Sequence, residues 1–109
     1  MDVIYEVNLE IDRHIEFEYR SWLQVHIAEI LALPGFVSAQ CLARVEPAAQ
    51  AGRLARCVQY RLTDRASLEA YLELHAPRLR ADGVARFGGR FEASRRVLLE
   101  ERLSPRPES

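Results

Sequence analysis

Two of the three histidines sit at matching points of a repeated pattern, Trp22-Leu23-x-x-His26 in the first half and Tyr71-Leu72-x-x-His75 in the second. Imidazole is the side chain whose ordinary pKa lies nearest neutrality, so it can serve as a general base or contact a ligand. At roughly 100° per residue, His26 falls between Trp22 and Ile30 on one helical stripe. His75 falls likewise among Leu68, Tyr71, Leu72 and Leu79. Both are expected to point inward. One reading makes them packed, hydrogen-bonded core imidazoles, the usual state of buried polar groups. The other places a base in a cleft between helices and sheet. In that second reading Tyr60 or Tyr71 would orient a substrate. Arg95, on the same strand parity as Phe91 and Val97, would clamp a carboxylate or other anion.

Other chemistries find less support. His14 is out of register with the other two histidines, so no metal site is expected. Cys41 and Cys57 are too few and too far apart for zinc or a redox CxxC pair. All fifteen basic residues are arginine, so no lysine is available to form a Schiff base. Gly-rich phosphate loops, nucleophile elbows and HExxH are absent from the sequence. The net charge of -1 supplies no electrostatic reason to bind nucleic acid or an anionic membrane. No apolar run approaches the roughly 20 residues of a membrane span. Acidic Asp2 stands where a signal peptide would be basic. The expectation is a cytoplasmic protein with reduced thiols.

The elements that would position these residues follow from periodicity. Val3, Tyr5, Val7, Leu9 and Ile11 alternate with polar residues, which predicts a half-buried strand. Asp12 can cap a helix whose apolar positions run from Ile15 to Leu33, ending at Pro34-Gly35. Strands are predicted over 36–45 and 54–62, joined by a hairpin-type loop. Asp64 caps a second helix, and Pro77 should break and restart it. Gly88-Gly89 stops the restarted segment, and 91–100 reads as the last strand.

Strand, helix, strand, strand, helix, strand is a doubled βαβ unit, the α+β ferredoxin-like βαββαβ arrangement. It has a four-stranded antiparallel sheet with its helices on one face. A single domain over 1–103 and a polar, Pro-rich tail over 104–109 are expected. The uncovered sheet face is expected to carry Ile4, Glu6 and Asn8, then Arg56, Val58 and Tyr60, then Ser94, Arg96 and Leu98. Apolar groups among charges suit a second sheet better than water, so a face-to-face homodimer is expected. Ala39, Cys41, Ala43, Ala55 and Cys57 are expected on the helix side, with the two thiols opposite each other. Small residues there allow close helix packing or leave a hollow. A hollow lined by Trp22, Tyr71, Phe36 and Tyr5 would be an apolar ligand pocket.

Trp22-x3-His26, Val58-Gln59-Tyr60, His75-Ala76-Pro77, Phe87-Gly88 and Phe91-x3-Arg95 together resemble a small bacterial family, the domain of unknown function numbered 4286. The resemblance spans residues 3 to about 100. It implies membership of the dimeric α+β barrel superfamily, whose members range from cofactor-independent monooxygenases and lactone isomerases to haem enzymes and regulatory modules, so the fold alone selects no function. A haem is not expected in a domain this small, and no cofactor is expected. Ala28 stands where the second repeat has Pro77, so the first helix should be the straighter one.

The favoured reading is a non-catalytic module that binds a small apolar or aromatic molecule or a partner. The alternative is a cofactor-independent enzyme, of monooxygenase or isomerase type, acting on a small aromatic or lactone-like metabolite with His26 or His75 as base. The sharp divergence at Pro77 directs attention to His75 as the centre of an asymmetric site.

Overall fold

The computed structural model describes residues 1–105. β1 (Val3–Asp12) turns at Asp12, whose carboxylate accepts the His14 N–H at 2.9 Å. This cap opens a single 3₁₀ turn, and α1 (Glu16–Leu31) follows. Tyr19, Leu23 and Ile30 form its buried stripe, with Trp22, His26 and Ile27 half-buried beside them. β2 (Phe36–Ala43) and β3 (Arg53–Leu62) form the hairpin. Asp64 caps α2 (Arg65–Leu74) by accepting the Ser67 N–H at 2.8 Å. α3 (Ala76–Phe87) starts after a one-residue break at His75. Pro77 lies in its first turn, where a missing N–H costs nothing. Gly88, at φ 57°, ends α3, and β4 (Phe91–Leu99) is the last regular element among the described residues. Of the expected polar tail, residues 106–109 lie outside the described residues.

The strands order β2-β3-β1-β4, with every neighbouring pair antiparallel. This is the ferredoxin-like α+β sheet, with α1, α2 and α3 on one face. The core lies between them: Val3, Tyr5, Val58, Tyr60 and Leu62 from the sheet pack against Tyr19, Ile30, Leu68, Tyr71 and Leu79 from the helices. Burial of these large side chains, at roughly 1.5–3 kcal/mol each, drives the layering.

The register corrects one expectation. Tyr5↔Tyr60, Val7↔Val58 and Leu9↔Arg56 are cross-strand pairs. Arg56, Val58 and Tyr60 therefore lie under the helices and not on the uncovered face. Ala55, Cys57, Gln59 and Arg61 take that face, opposite Glu10, Asn8, Glu6 and Ile4. The physical reason is that β3's bulky set must join β1's bulky set, and a one-residue difference moves every side chain to the other side. The hairpin register shows the same sensitivity. Cys41 pairs with Val58 and Leu42 with Cys57. The thiols thus sit on opposite faces, and of the five small residues expected on the helix side Ala39, Cys41 and Ala43 lie there while Ala55 and Cys57 do not.

The uncovered face consequently has a polar centre. Glu6, only 2% exposed, accepts hydrogen bonds from Asn8 Nδ2 at 2.9 Å, Gln59 Nε2 at 2.9 Å and the Arg96 guanidinium. Gln40 extends this network through Gln59 at 3.2 Å. Arg96 above all holds the Glu6 carboxyl down at about 2. Ile4, Leu42 and Leu98 supply apolar contacts around that centre.

Candidate functional site

The helix layer does not close fully on the sheet. Between α1, α3 and the strands β1, β3 and β4 lies a cavity of about 340 Å³. Its floor is built by β-alternation: Tyr5 and Val7 from β1, Tyr60 from β3, Phe91 and Ala93 from β4. Ala93 pairs with Leu9 and presents only a methyl group to the cavity. The walls are Trp22, His26, Tyr71 and Arg80, with Arg95 reaching in from β4.

The aromatic groups interlock. Tyr5 stacks on Tyr60 with centroids 6.1 Å apart and meets Tyr71 edge-on at 5.9 Å. Phe36 packs edge-on against Tyr60 at 5.8 Å and Tyr71 at 5.2 Å. Phe36 is thus outside the lining and supports two of its rings. Such contacts add roughly 0.5–1.5 kcal/mol each to simple burial and hold the rings in place. Burial raises the phenols of Tyr19 and Tyr60 above their ordinary 10.0, and Tyr71 to about 12. All three stay protonated donors at neutral pH.

His26 is fixed through its neighbour one turn earlier on α1. Its ring stacks on the Trp22 indole with centroids 4.5 Å apart. The indole N–H in turn donates to Asp82 Oδ2 of α3 at 2.8 Å. Gly83 makes this approach possible, since a Cβ there would meet Trp22 Cη2 at 3.0 Å. That hydrogen bond holds the Asp82 carboxyl below its usual range. Burial pushes His26 below its ordinary 6.5, overcoming the opposite pull of Glu29 and Asp82. The imidazole facing the cavity is therefore neutral at pH 7, able to accept a proton or a hydrogen bond. Arg80 Nη2 donates to the Tyr5 hydroxyl at 2.9 Å, its one side-chain hydrogen bond among the described residues.

The structure brings Tyr5, Trp22, His26, Tyr60, Tyr71 and Arg95 around one cavity. His75 is elsewhere. It is the joint between α2 and α3, where its N–H donates to Tyr71 O at 2.9 Å and its carbonyl accepts the Leu79 N–H at 3.2 Å. The two histidines are equivalent in sequence but not in surroundings, because the helix breaks at the second and runs through the first. Sequence reasoning missed Arg80, Ala93 and Asp82. Arg80 had a signal available: it follows Leu79 by one position, on the flank of α3's buried stripe.

A second hollow, of about 400 Å³, lies under α1 between Glu16 and Ile27 and is also lined by Cys41, Ala43, Leu54 and Arg56. It arises from the small residues of β2. Volume does not separate the two hollows, but chemistry does: the imidazole and three of the four tyrosines that line either hollow belong to the first alone, and Tyr19 lies between them. Among the described residues no group of three His, Cys, Asp or Glu side chains could hold a metal ion. No described helix is long and apolar enough to cross a membrane.

Similar folds occur in proteins of distant sequence. SnoaB of Streptomyces nogalater, described as a cofactor-independent oxygenase, matches with a TM-score of 0.68 at 16% identity, covering 97% of this chain and 100% of that one. Rv0793 of Mycobacterium tuberculosis matches at 0.66 and 18% identity, covering 96% and 100%. The de novo designed protein Foldit4 matches at 0.65 and 17% identity, covering 93% and 100%. At these identities the likeness shows the fold alone, a ferredoxin-like α+β arrangement, and nothing of activity. No curated protein matches the chain in sequence. A family model does so across nearly all of it, over residues 2–101, and the chain belongs to that family, Domain of unknown function (DUF4286).

Proposed function

We propose that this chain is a single-domain, homodimeric, cytoplasmic module that takes a small, flat, aromatic molecule into the helix–sheet cavity. The observation that carries the reading is the cavity itself: about 340 Å³ of space, walled by aromatic rings held in place by one another. Trp22 is the only tryptophan in the chain and lies in the cavity wall, so its fluorescence reports occupancy. Ala93→Leu should fill the space between β4 and α1. It is expected to abolish the Trp22 response to an aromatic metabolite library while leaving the melting temperature unchanged or raised. A response that survives in this variant places the guest elsewhere.

A second reading, a cofactor-independent enzyme, is favoured by neutral, oriented His26 in the cavity wall. It is the proper state for a base, and the fold likeness to an oxygenase agrees with it. His26→Gln separates the readings. Loss of turnover with retained binding supports the enzyme, whereas a guest bound unchanged in both proteins supports the module.

The dimer would form through the uncovered sheet face. Its apolar content is lower than the alternation suggested, since Val58 and Tyr60 face the helices. What remains is Ile4, Leu42 and Leu98 around the Glu6 network, with Leu98 still 37% exposed in the isolated chain. A polar centre within an apolar surround can give register to a symmetric interface. Leu98→Asp puts two carboxylates into such an interface and should weaken association at least tenfold, read by sedimentation. An unchanged mass would move the interface off this face.

A further inference from the structure

We propose that the guest of the helix–sheet cavity is an anion, a flat aromatic carboxylate or phenolate gripped by Arg95 and Arg80. The proposal rests on the cavity reading above and adds the charge of the ligand. The chain has 16 acidic and 15 basic residues, so an average patch of its surface is close to neutral. The cavity departs from that balance, for its lining holds two arginines and neither Asp nor Glu. The two guanidinium groups come from separate elements, α3 and β4.

Their lack of partners is the second observation. Arg44, Arg53, Arg61, Arg86 and Arg96 are each paired with a carboxylate; Arg80 and Arg95 are among the several described arginines that are not, and they are the two that line this cavity. Among the described residues neither Arg80 nor Arg95 forms an ion pair, and Arg80's one side-chain hydrogen bond is to the neutral hydroxyl of Tyr5. Arg95 also stands close to the reactive wall. Its charge favours the deprotonated forms of Tyr19, His26 and Tyr71, although burial is the larger influence on each. Unpaired guanidinium groups offer forked N–H donors that match a carboxylate. The rings of Tyr5, Tyr60 and Tyr71 would flank the flat body of the guest, leaving its anionic group at the arginines. Neutral His26 would not compete with them for it.

The test is calorimetric titration of the full chain with 2-naphthoate and its neutral counterpart 2-naphthalenemethanol, repeated on Arg95→Gln, Arg80→Gln and Ala93→Leu. The expected result is that naphthoate binds at least about tenfold more tightly than the alcohol, as one charge-assisted bond would give. Arg95→Gln should remove most of that preference and Arg80→Gln part of it. Added salt should weaken naphthoate binding alone, and Ala93→Leu should exclude both probes. Arg95 is exposed and unpaired, so its variant should fold normally, and Arg80→Gln is an independent check. Equal affinity for the two probes, or a preference surviving both arginine substitutions, would overturn the anion proposal and leave the cavity reading standing. Binding of neither probe would overturn both.

Discussion

Glu6→Gln should lower the unfolding free energy by about 2 kcal/mol at pH 7 and flatten the protein's acid sensitivity. Glu6 accepts from Arg96, Asn8 and Gln59 at the centre of the uncovered face, and hydrogen bonds to a charged group contribute roughly 1.5–3 kcal/mol. Its folded pKa of about 2 lies below its ordinary 4.5. A carboxylate depressed on folding stabilises above the unfolded value, and that stability drains away as pH falls from about 4.5 to about 2. The whole displacement corresponds to about 3 kcal/mol. Solvent around Arg96, whose side chain is 63% exposed, reduces this toward 2. Urea unfolding at pH 7, 4.5 and 3, at fixed protein concentration, measures both effects. A gap between wild type and variant that narrows to about half by pH 3 is the expected outcome; a constant gap across the three pH values would mean that Glu6 acts through packing and not through charge.

Trp22→Ala is expected to destabilise by about 3 kcal/mol and to raise the His26 pKa toward 6.5. The first figure is the low end of the range for truncating a large aromatic residue, since Trp22 is only half-buried. The second follows from cause: burial is the main influence lowering His26, and the indole stacked at 4.5 Å covers one face of the ring, so removing it should readmit water there. A histidine lowered on folding costs stability as pH drops through 6.5, so the variant should show less acid destabilisation in that window. Trp22→Phe is the informative partner. It keeps a ring over the imidazole but loses the 2.8 Å bond to Asp82. It should cost only about 1 kcal/mol and leave His26 depressed. NMR titration of the imidazole reads the pKa directly. An unchanged value in Trp22→Ala would show that the neighbouring helix and sheet desolvate His26 without the indole.

The two effects fall on opposite faces of one sheet. Glu6 and Tyr5 are adjacent in β1, and alternation sends the first to the uncovered face and the second to the cavity. The same strand therefore joins the proposed interface to the proposed binding site. A change that shifts β1 against β4 would reach both Arg96 and Arg95, which are likewise adjacent.

The order of elements was legible in the residues, and for local reasons. Alternation marked β1, Asp12 and Asp64 marked two helix starts, and Pro77 marked the break at His75. Each signal depends on neighbours a few positions away, so no knowledge of the partner strands was needed. The doubled βαβ pattern then left one economical topology. The inward direction of His26 was legible too, from the spacing of Trp22, His26 and Ile30.

The tertiary structure alone decided which groups share a site. Alternation in β3 offers two sets, and pairing with β1 chose which set faces the helices, bringing Tyr60 into the cavity and Gln59 to Glu6. The backbone break that Pro77 announces turned His75 into a joint, so two residues matched in sequence ended in different surroundings. Arg80, Asp82 and Gly83 acquired meaning only when α3 lay beside Trp22 and Tyr5. Local periodicity fixes the direction of a side chain relative to its own element. Which element it meets depends on register and on how the layers settle, and those are set by long-range packing that no short stretch of residues encodes.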